Sequence, residues 1–194
     1  MLRLRVAFAL AALALAGGSL AAQRTKANAN RSGQWIGFGL GAGVGRVGCD
    51  ICVSSRPGSI SGYFKVGGTL NRKLLLGAEV DGWFHNAGGV GEYLVGLAAE
   101  LYYYPNPRKR LFYKAGLGML RYQTDDGPNR LSSTAFGANF GAGYDIPFSR
   151  SVSFTPFASL WVASPGGEIN YNGEPIVSDI SLMLIQAGIG VSWH

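Results

Sequence analysis

The chain has 194 residues, of which 47% are hydrophobic and 14% charged, and its formal net charge is +6. This composition excludes a disordered protein, and the mild, scattered positive charge gives no indication of nucleic-acid binding. Thirty glycines and 12% aromatic residues, without a collagen repeat, indicate many strands and turns and little helix.

The first 21 residues have the layout of a secretory signal peptide. Arg3 and Arg5 precede an apolar run over residues 6–16, and small residues follow it as far as Ala21. The apolar run is short for a helix that spans a bilayer. We therefore expect cleavage after Ala21, an exported mature chain, and a flexible periplasmic leader over residues 22–32.

Eight segments with alternating apolar and polar residues follow, and each has the length of a membrane-crossing strand. Alternation of this kind is typical of strands, and an even number of strands of about ten residues favours a closed antiparallel meander. The predicted strands are Gly33–Val44, Ser59–Leu70, Leu74–His85, Glu92–Tyr104, Leu111–Tyr122, Ser132–Asp145, Val152–Ala163 and Ile180–Trp193.

The connections between these segments alternate in length. Long, polar connections are predicted at residues 45–58, 86–91, 123–131 and 164–179, and short ones at residues 71–73, 105–110 and 146–151. Barrels of the bacterial outer membrane have short periplasmic turns and long external loops. The order of the connections then predicts that both chain ends lie in the periplasm.

In the central strands, the charged residues fall on one face of the pleat. A charge near the middle of the lipid-facing surface costs about 2–4 kcal/mol, so these residues are expected to point into the barrel. Counted from the short turns, they lie at similar heights and predict an ion-pair cluster that plugs the lumen. Its members are Lys65, Glu79, Glu100 and Lys114, joined by Asp81 and further by Asn139 and Gln186.

Glycine occupies every second position from Gly37 to Gly45. The lumen of an eight-stranded barrel is just wide enough for its own side chains, so bulky inward residues require neighbours without side chains. A phosphate-binding loop is excluded because the G-x-x-x-x-G-K pattern is absent and no helix follows. The glycines are expected to make room for Tyr63, Trp83, Phe112 and Trp161.

The last predicted strand carries an apolar residue at every second position. These residues are Met183, Ile185, Ala187, Ile189, Val191 and Trp193, and His194 follows them. This file resembles the terminal strand by which outer-membrane barrels are recognised for assembly, although the aromatic residue is commonly the last one there. Over residues 33–194, the pattern is similar to that of the small OmpA-, OmpX- and OmpW-type barrels.

The resemblance implies an all-β, eight-stranded, up-and-down transmembrane barrel in the outer membrane of a Gram-negative cell envelope. It further implies contact with outer-membrane lipid and lipopolysaccharide, and assembly by the barrel assembly machinery through the C-terminal strand. Porin-like transport or an external ligand held by the loops would be compatible with such a scaffold.

Aromatic residues near the predicted periplasmic ends have two interpretations. Trp35, Tyr103, Tyr113 and Trp193 are expected to form the aromatic girdle at the membrane–water interface, and a ligand stack is the weaker alternative. The basic run at residues 108–110 lies in a periplasmic turn and is expected to be solvated.

Cys49 and Cys52 are the two cysteines of the chain. In an oxidising compartment they predict a disulfide that pins the first external loop. A redox-active pair would favour a helix N-terminus, and a zinc site would require two further ligands. Neither is visible nearby.

The histidines give no pattern typical of the enzymes built on this scaffold. Lipid A deacylase barrels use a serine next to a histidine in sequence, but neither His85 nor His194 has one two residues later. A rim site of Ser54, Ser55 and His85, of the palmitoyl-transferring kind, is a minor alternative. We predict no enzymatic activity, cofactor or metal.

Three functional classes remain at this stage. The favoured one is a non-enzymatic barrel with a structural or surface-interaction role. A narrow channel or carrier for small or hydrophobic solutes is the alternative. A soluble lipocalin-type barrel would reverse the faces, with the apolar side chains inside.

Overall fold

The computed structural model describes residues 33–48, 58–126, 129–171 and 174–194. The predicted signal peptide, the leader at residues 22–32 and the Cys49–Cys52 pair lie outside the described residues, as do Ser54 and Ser55. These assignments therefore stay predictions.

Eight long antiparallel strands form one closed barrel. Each strand pairs with its neighbours in sequence, and the last strand returns to pair with the first. A two-residue strand, Ile146–Pro147, pairs with the start of the seventh. The long strands are β1 (Gln34–Gly48), β2 (Gly58–Thr69), β3 (Leu74–Ala87), β4 (Val90–Tyr103), β5 (Leu111–Asp126), β6 (Asn129–Tyr144), β7 (Val152–Tyr171) and β8 (Glu174–Trp193).

The predicted eight-stranded up-and-down barrel is thus confirmed. Within the described ranges, no helix is long and apolar enough to span a bilayer.

The two faces of the barrel wall differ as the alternation predicts. Outward-pointing Leu117 and Phe136 are 62% and 65% exposed, whereas inward-pointing Leu120 is fully buried. The inward set includes the charged residues Glu79 and Lys114, which are both buried. The direction of the pleat is therefore the one expected for a barrel with a lipid-facing apolar surface.

The connections at one end of the barrel are stabilised by polar side chains that bond their own backbone. Asn71 Oδ1 accepts hydrogen bonds from the backbone N–H groups of Lys73 (2.8 Å) and Leu74 (3.1 Å). Ser149 Oγ accepts one from the N–H of Val152 at 3.1 Å. Such local bonds are typical of tight turns. Both Gln34 and Trp193 lie at this end, which we call the turn end; the opposite end is the loop end.

The prediction of long connections at the loop end is wrong for three of the four. β3 and β4 are joined by Gly88 and Gly89 alone, with φ angles of 62° and 91°, as a two-residue hairpin turn of the primed type requires. The ladders of the β5–β6 and β7–β8 hairpins run to residues 126 and 171, where long loops were expected. Polar residues do not end a ladder when the backbone groups opposite remain available for pairing.

Pro156 does not produce the local bulge that its sequence position suggests. It pairs with Ile189 of β8 in the same register as its neighbours. On its other side, the ladder with β6 stops at Gly143–Phe157 and resumes at Ile146–Phe154 without a shift of register. The missing N–H group is therefore accommodated by a gap in one ladder.

Candidate functional site

The interior of the barrel holds an ion pair between strands that are not adjacent. Lys114 Nζ on β5 donates to Glu79 Oε1 on β3, and both side chains are buried. The hydroxyl of Tyr102, on the intervening strand β4, donates to Glu79 Oε2 at 2.5 Å. Two donors therefore compensate the buried carboxylate of Glu79, as a buried charge requires.

Asp81 accepts hydrogen bonds from three side chains in the lumen. It accepts hydrogen bonds from Trp161 Nε1 at 2.7 Å, from Asn139 Nδ2 at 3.1 Å, and from Gln186 Nε2. These donors lie on β7, β6 and β8, so a single carboxylate joins β3 to the opposite side of the barrel. Of the additional members predicted from the sequence, Asp81, Asn139 and Gln186 thus lie together.

Lys65 has different surroundings from those predicted. It is paired across the ladder with Glu79, but the cation that bonds that carboxylate is Lys114. The Nζ atom of Lys65 lies 5.1 Å from the ring centres of Tyr102 and Phe112 and 5.2 Å from that of Tyr63. Cation–π attraction of this kind stabilises a desolvated ammonium group.

Glu100 is buried completely, and its carboxylate oxygens have no hydrogen-bond partner among the described residues. Its carboxyl carbon lies 2.5 Å from the position that a Cβ atom on Gly116 would occupy. Gly116 is in register with Glu100 on one side and Asn139 on the other. The absent side chain therefore provides the space for this carboxyl group.

A further interior carboxylate was not included in the predicted cluster. Asp145 is 1% exposed and accepts hydrogen bonds from Tyr104 Oη at 2.8 Å and Thr155 Oγ1 at 2.9 Å. Its inward position in the alternation of the sixth strand was the signal that could have identified it. It extends the polar interior toward the turn end.

The lumen is organised in three layers along the barrel axis. An aromatic layer lies at the turn end and an upper apolar layer toward the loop end, and the charged layer lies between them. The order is the same on each strand that contributes to all three: Leu75, Glu79 and Trp83 on β3; Tyr102, Glu100 and Leu94 on β4; Phe112, Lys114 and Leu120 on β5.

The two apolar layers have these members. The aromatic layer contains Trp35, Leu75, Tyr102, Tyr104 and Phe112. The upper apolar layer contains Trp83, Leu94, Ala98, Leu120, Tyr122, Ala135, Trp161, Ala163, Ile180, Leu182 and Leu184.

Inward glycines accept the large rings of these layers. A Cβ atom on Gly39 would collide with the ring of Tyr63 and would lie 2.9 Å from the ring of Phe157. A Cβ atom on Gly96 would lie 2.8 Å from the indole of Trp161. The alternate glycines of the first strand thus have the role expected from the width of the lumen.

Trp35 is not a girdle residue, and this prediction is wrong. It is 3% exposed and points into the lumen, where its ring packs edge-on against Tyr102 at a centroid distance of 5.0 Å. Tyr103, Tyr113 and Trp193 point outward near the turn end and are partly exposed. Trp35 shares the parity of the inward glycines of β1, so its side chain follows them inside.

His85 also points inward, and its ring stacks on that of Trp83 at 5.7 Å. In the part of the chain that the structure describes, no three His, Cys, Asp or Glu residues are arranged to hold a metal ion.

The chain resembles known proteins in structure but not in sequence. No protein-family model and no curated protein sequence matches the chain. Solved structures do match. The chain has the fold of the small outer-membrane β-barrels.

Three of these structures resemble the chain over most of its length. Ail of Yersinia pestis, solved in complex with the heparin analogue sucrose octasulfate, is 12% identical with a TM-score of 0.53, covering 83% of this chain and 99% of its own. Neisserial surface protein A is 14% identical, with a TM-score of 0.52 and coverages of 84% and 97%. OprG of Pseudomonas aeruginosa is 13% identical, with a TM-score of 0.50 and coverages of 86% and 99%.

Proposed function

We propose that this chain is a non-enzymatic barrel of the bacterial outer membrane whose sealed lumen makes it a rigid anchor for surface interactions. The order of the three interior layers carries this proposal. Apolar side chains pack on both sides of the charged layer. We propose that this packing, together with the hydrogen bonds among the buried polar groups, closes the lumen to ions.

The outer surface supports the membrane placement. Large apolar side chains on all eight strands point away from the lumen with two-fifths to two-thirds of their surface exposed, among them Leu40, Leu97 and Phe136. Contiguous apolar surface of this extent is rare on a soluble monomer and marks contact with lipid or another apolar partner. We place the termini in the periplasm and propose that β8 carries the assembly signal.

The engagement of the interior groups supports a structural role for them. Lys114 and Tyr102 donate to Glu79, and Trp161 donates to Asp81, so each of these charged groups has a partner inside the lumen. A buried pair of this kind contributes to a unique packing rather than to large net stability.

Ail is the attachment invasion locus protein, and it was solved in complex with the heparin analogue sucrose octasulfate. Both statements describe Ail and not this chain. Because the identity is 12%, the likeness bears on the shared fold. A surface ligand of this chain therefore has to be identified by binding experiments on this protein itself.

Two measurements test the proposal. The first is partition of the folded protein into detergent or membranes, together with a change of gel mobility on boiling. The second is ionic conductance in planar bilayers. We expect a detergent-requiring, heat-modifiable protein that does not conduct above the background of protein-free bilayers.

A variant that lacks two rings of the aromatic layer serves as the control for the conductance measurement. Trp35→Ala combined with Phe112→Ala removes two rings of that layer and should raise conductance. If the unmodified protein conducts discrete, stable currents, the alternative of a narrow channel or carrier replaces the sealed barrel. If the folded protein remains in aqueous buffer without detergent, both functions fail and a soluble barrel is left.

A further inference from the structure

A groove of about 420 Å³ lies in the outer face of the barrel wall, where β2, β1 and β8 meet. Its floor is formed by Ala42 and Ala187, which are paired across the ladder. The larger side chains of Val44, Ile60 and Ile185 border it. Its volume lies within the range of about 300–1,000 Å³ that is typical of small-molecule pockets.

A cationic side chain lies beyond the groove toward the loop end. Arg46 follows Val44 at the next outward position of β1, about 7 Å farther along the strand. Arg46 is half-buried, and its Nε atom is buried without a hydrogen-bond partner among the described residues. The wall therefore presents an apolar groove with an arginine at one end whose Nε atom has no hydrogen-bond partner among the described residues.

We infer that Arg46 and this groove bind one molecule of lipid A, the phosphorylated glycolipid of the outer leaflet. The guanidinium group would hold a headgroup phosphate through paired N–H···O bonds, the geometry in which arginine binds phosphate best. One acyl chain would lie over Ala42 and Ala187 and gain the dispersion contacts that the small side chains leave open. This inference rests on the proposed placement in the outer membrane.

The position of Arg46 selects this lipid over the phospholipids of the inner leaflet. Arg46 lies twelve positions after Gln34 on a strand that starts at the turn end, so it reaches the level of the opposite membrane surface. With the termini in the periplasm, that surface is the outer leaflet. Charge complementarity between the cation and the phosphate then identifies the occupant.

The chain offers a matched control for each part of the groove. Arg121 is also outward and near the loop end, but it lies on β5, the strand opposite β1 in the ring of eight. Ala99 is an outward alanine of β4, opposite β8, and is paired with outward Ala78. Neither belongs to the groove.

The experiment uses the full chain, refolded into phosphatidylcholine nanodiscs that contain a small fraction of a second lipid. The second lipid is lipid A, dephosphorylated lipid A or phosphatidylglycerol. Native mass spectrometry counts the lipid that stays bound to the barrel. Heat modifiability is recorded for every variant, so that failure of the barrel to insert is seen separately from loss of lipid.

We expect one lipid A to be retained in preference to the other two lipids. Arg46→Gln should lower its retention by about tenfold or more, as expected for the loss of charge-assisted hydrogen bonds to the phosphate, and should abolish the preference for the phosphorylated form. Ala187→Phe should lower the retention of both forms. Ala42→Leu fills the same groove and replaces Ala187→Phe if that variant does not fold.

Retention by Arg121→Gln and Ala99→Phe should equal that of the unmodified protein. The inference is overturned if these controls lose as much lipid A as the groove variants, or if the groove variants lose none. It is equally overturned if the unmodified protein retains phosphatidylglycerol or dephosphorylated lipid A as well as lipid A.

Discussion

Lys114 on β5 and Glu79 on β3 form a buried ion pair across the intervening strand β4. The pair passes over Tyr102 of β4, which adds a hydroxyl donor to the same carboxylate. Three consecutive strands are thereby joined inside the lumen by side chains as well as through the ladders.

The first prediction concerns this pair. Lys114→Met leaves the carboxylate of Glu79 buried without its cation, and should lower the free energy of unfolding by about 3–5 kcal/mol. Adding Glu79→Leu to that variant should recover most of the loss, because a buried pair replaced by apolar groups is often near neutral. Urea unfolding in phospholipid vesicles measures both. Additive losses in the double variant would contradict the pairing.

The second prediction concerns the glycines. Gly39→Ala places a methyl group against the rings of Tyr63 and Phe157 and should cost about 1–3 kcal/mol, as overpacking does. Gly82→Ala is the control, because nothing lies within 4 Å of its added Cβ atom. Equilibrium unfolding should show no loss for the control. Equal effects at both positions would mean that strand propensity, not ring packing, decides.

The third prediction tests which solvent faces the wall. Leu117→Arg puts a charge on a residue that is 62% exposed in the middle of β5. In a bilayer, the free energy of unfolding should fall by about 2–4 kcal/mol. In water, an exposed substitution of this kind stays within about 0.5 kcal/mol. Unfolding in vesicles distinguishes the two, and a negligible loss there argues against a lipid-facing position.

The fourth prediction compares two tryptophans. Trp35→Ala removes a buried ring from the aromatic layer and should cost about 3–5 kcal/mol, as large-to-small core substitutions do. Trp193→Ala removes a ring that is 38% exposed and points outward, so its cost should be smaller. Unfolding under identical conditions gives the comparison. A larger loss of unfolding free energy for Trp193→Ala than for Trp35→Ala would contradict the inward orientation of Trp35 and favour a girdle position for it.

Alternation made the fold and the orientation of the wall predictable. A period of two residues fixes which side chains share a face, and charge on the lipid side is costly enough to decide which face is inside. The orientation of Trp35 was available from the same rule, since it alternates with the outward Ile36. Tryptophan is common in the aromatic girdles near strand ends, and this general tendency favours an outward orientation that is wrong for Trp35.

The details of the interior were less accessible to the sequence. Lys65 and Glu79 are direct cross-strand partners, yet Lys114 takes the carboxylate and Lys65 lies among the rings. The choice depends on side-chain rotamers and on the shear of the closed barrel, which bring Lys114 of β5 past β4 to Glu79 of β3. Neither the rotamers nor the shear can be deduced from the alternation pattern of a single strand. The lengths of the hairpins at the loop end are not predictable from polarity, because polar residues there continue the ladders.

The bonds of Asp81 bear on the order in which the barrel assembles. Its donors follow it by 58, 80 and 105 residues, and contacts between such distant positions form late because they close large loops of chain. Until β8 arrives, Asp81 lacks Gln186 and the sheet is open to water along one seam. Closure of the barrel by β8 therefore excludes water along this seam and completes the hydrogen bonds of Asp81 in the same event. In a chain truncated before β8, the sheet would stay open and Asp81 would lack the bond from Gln186.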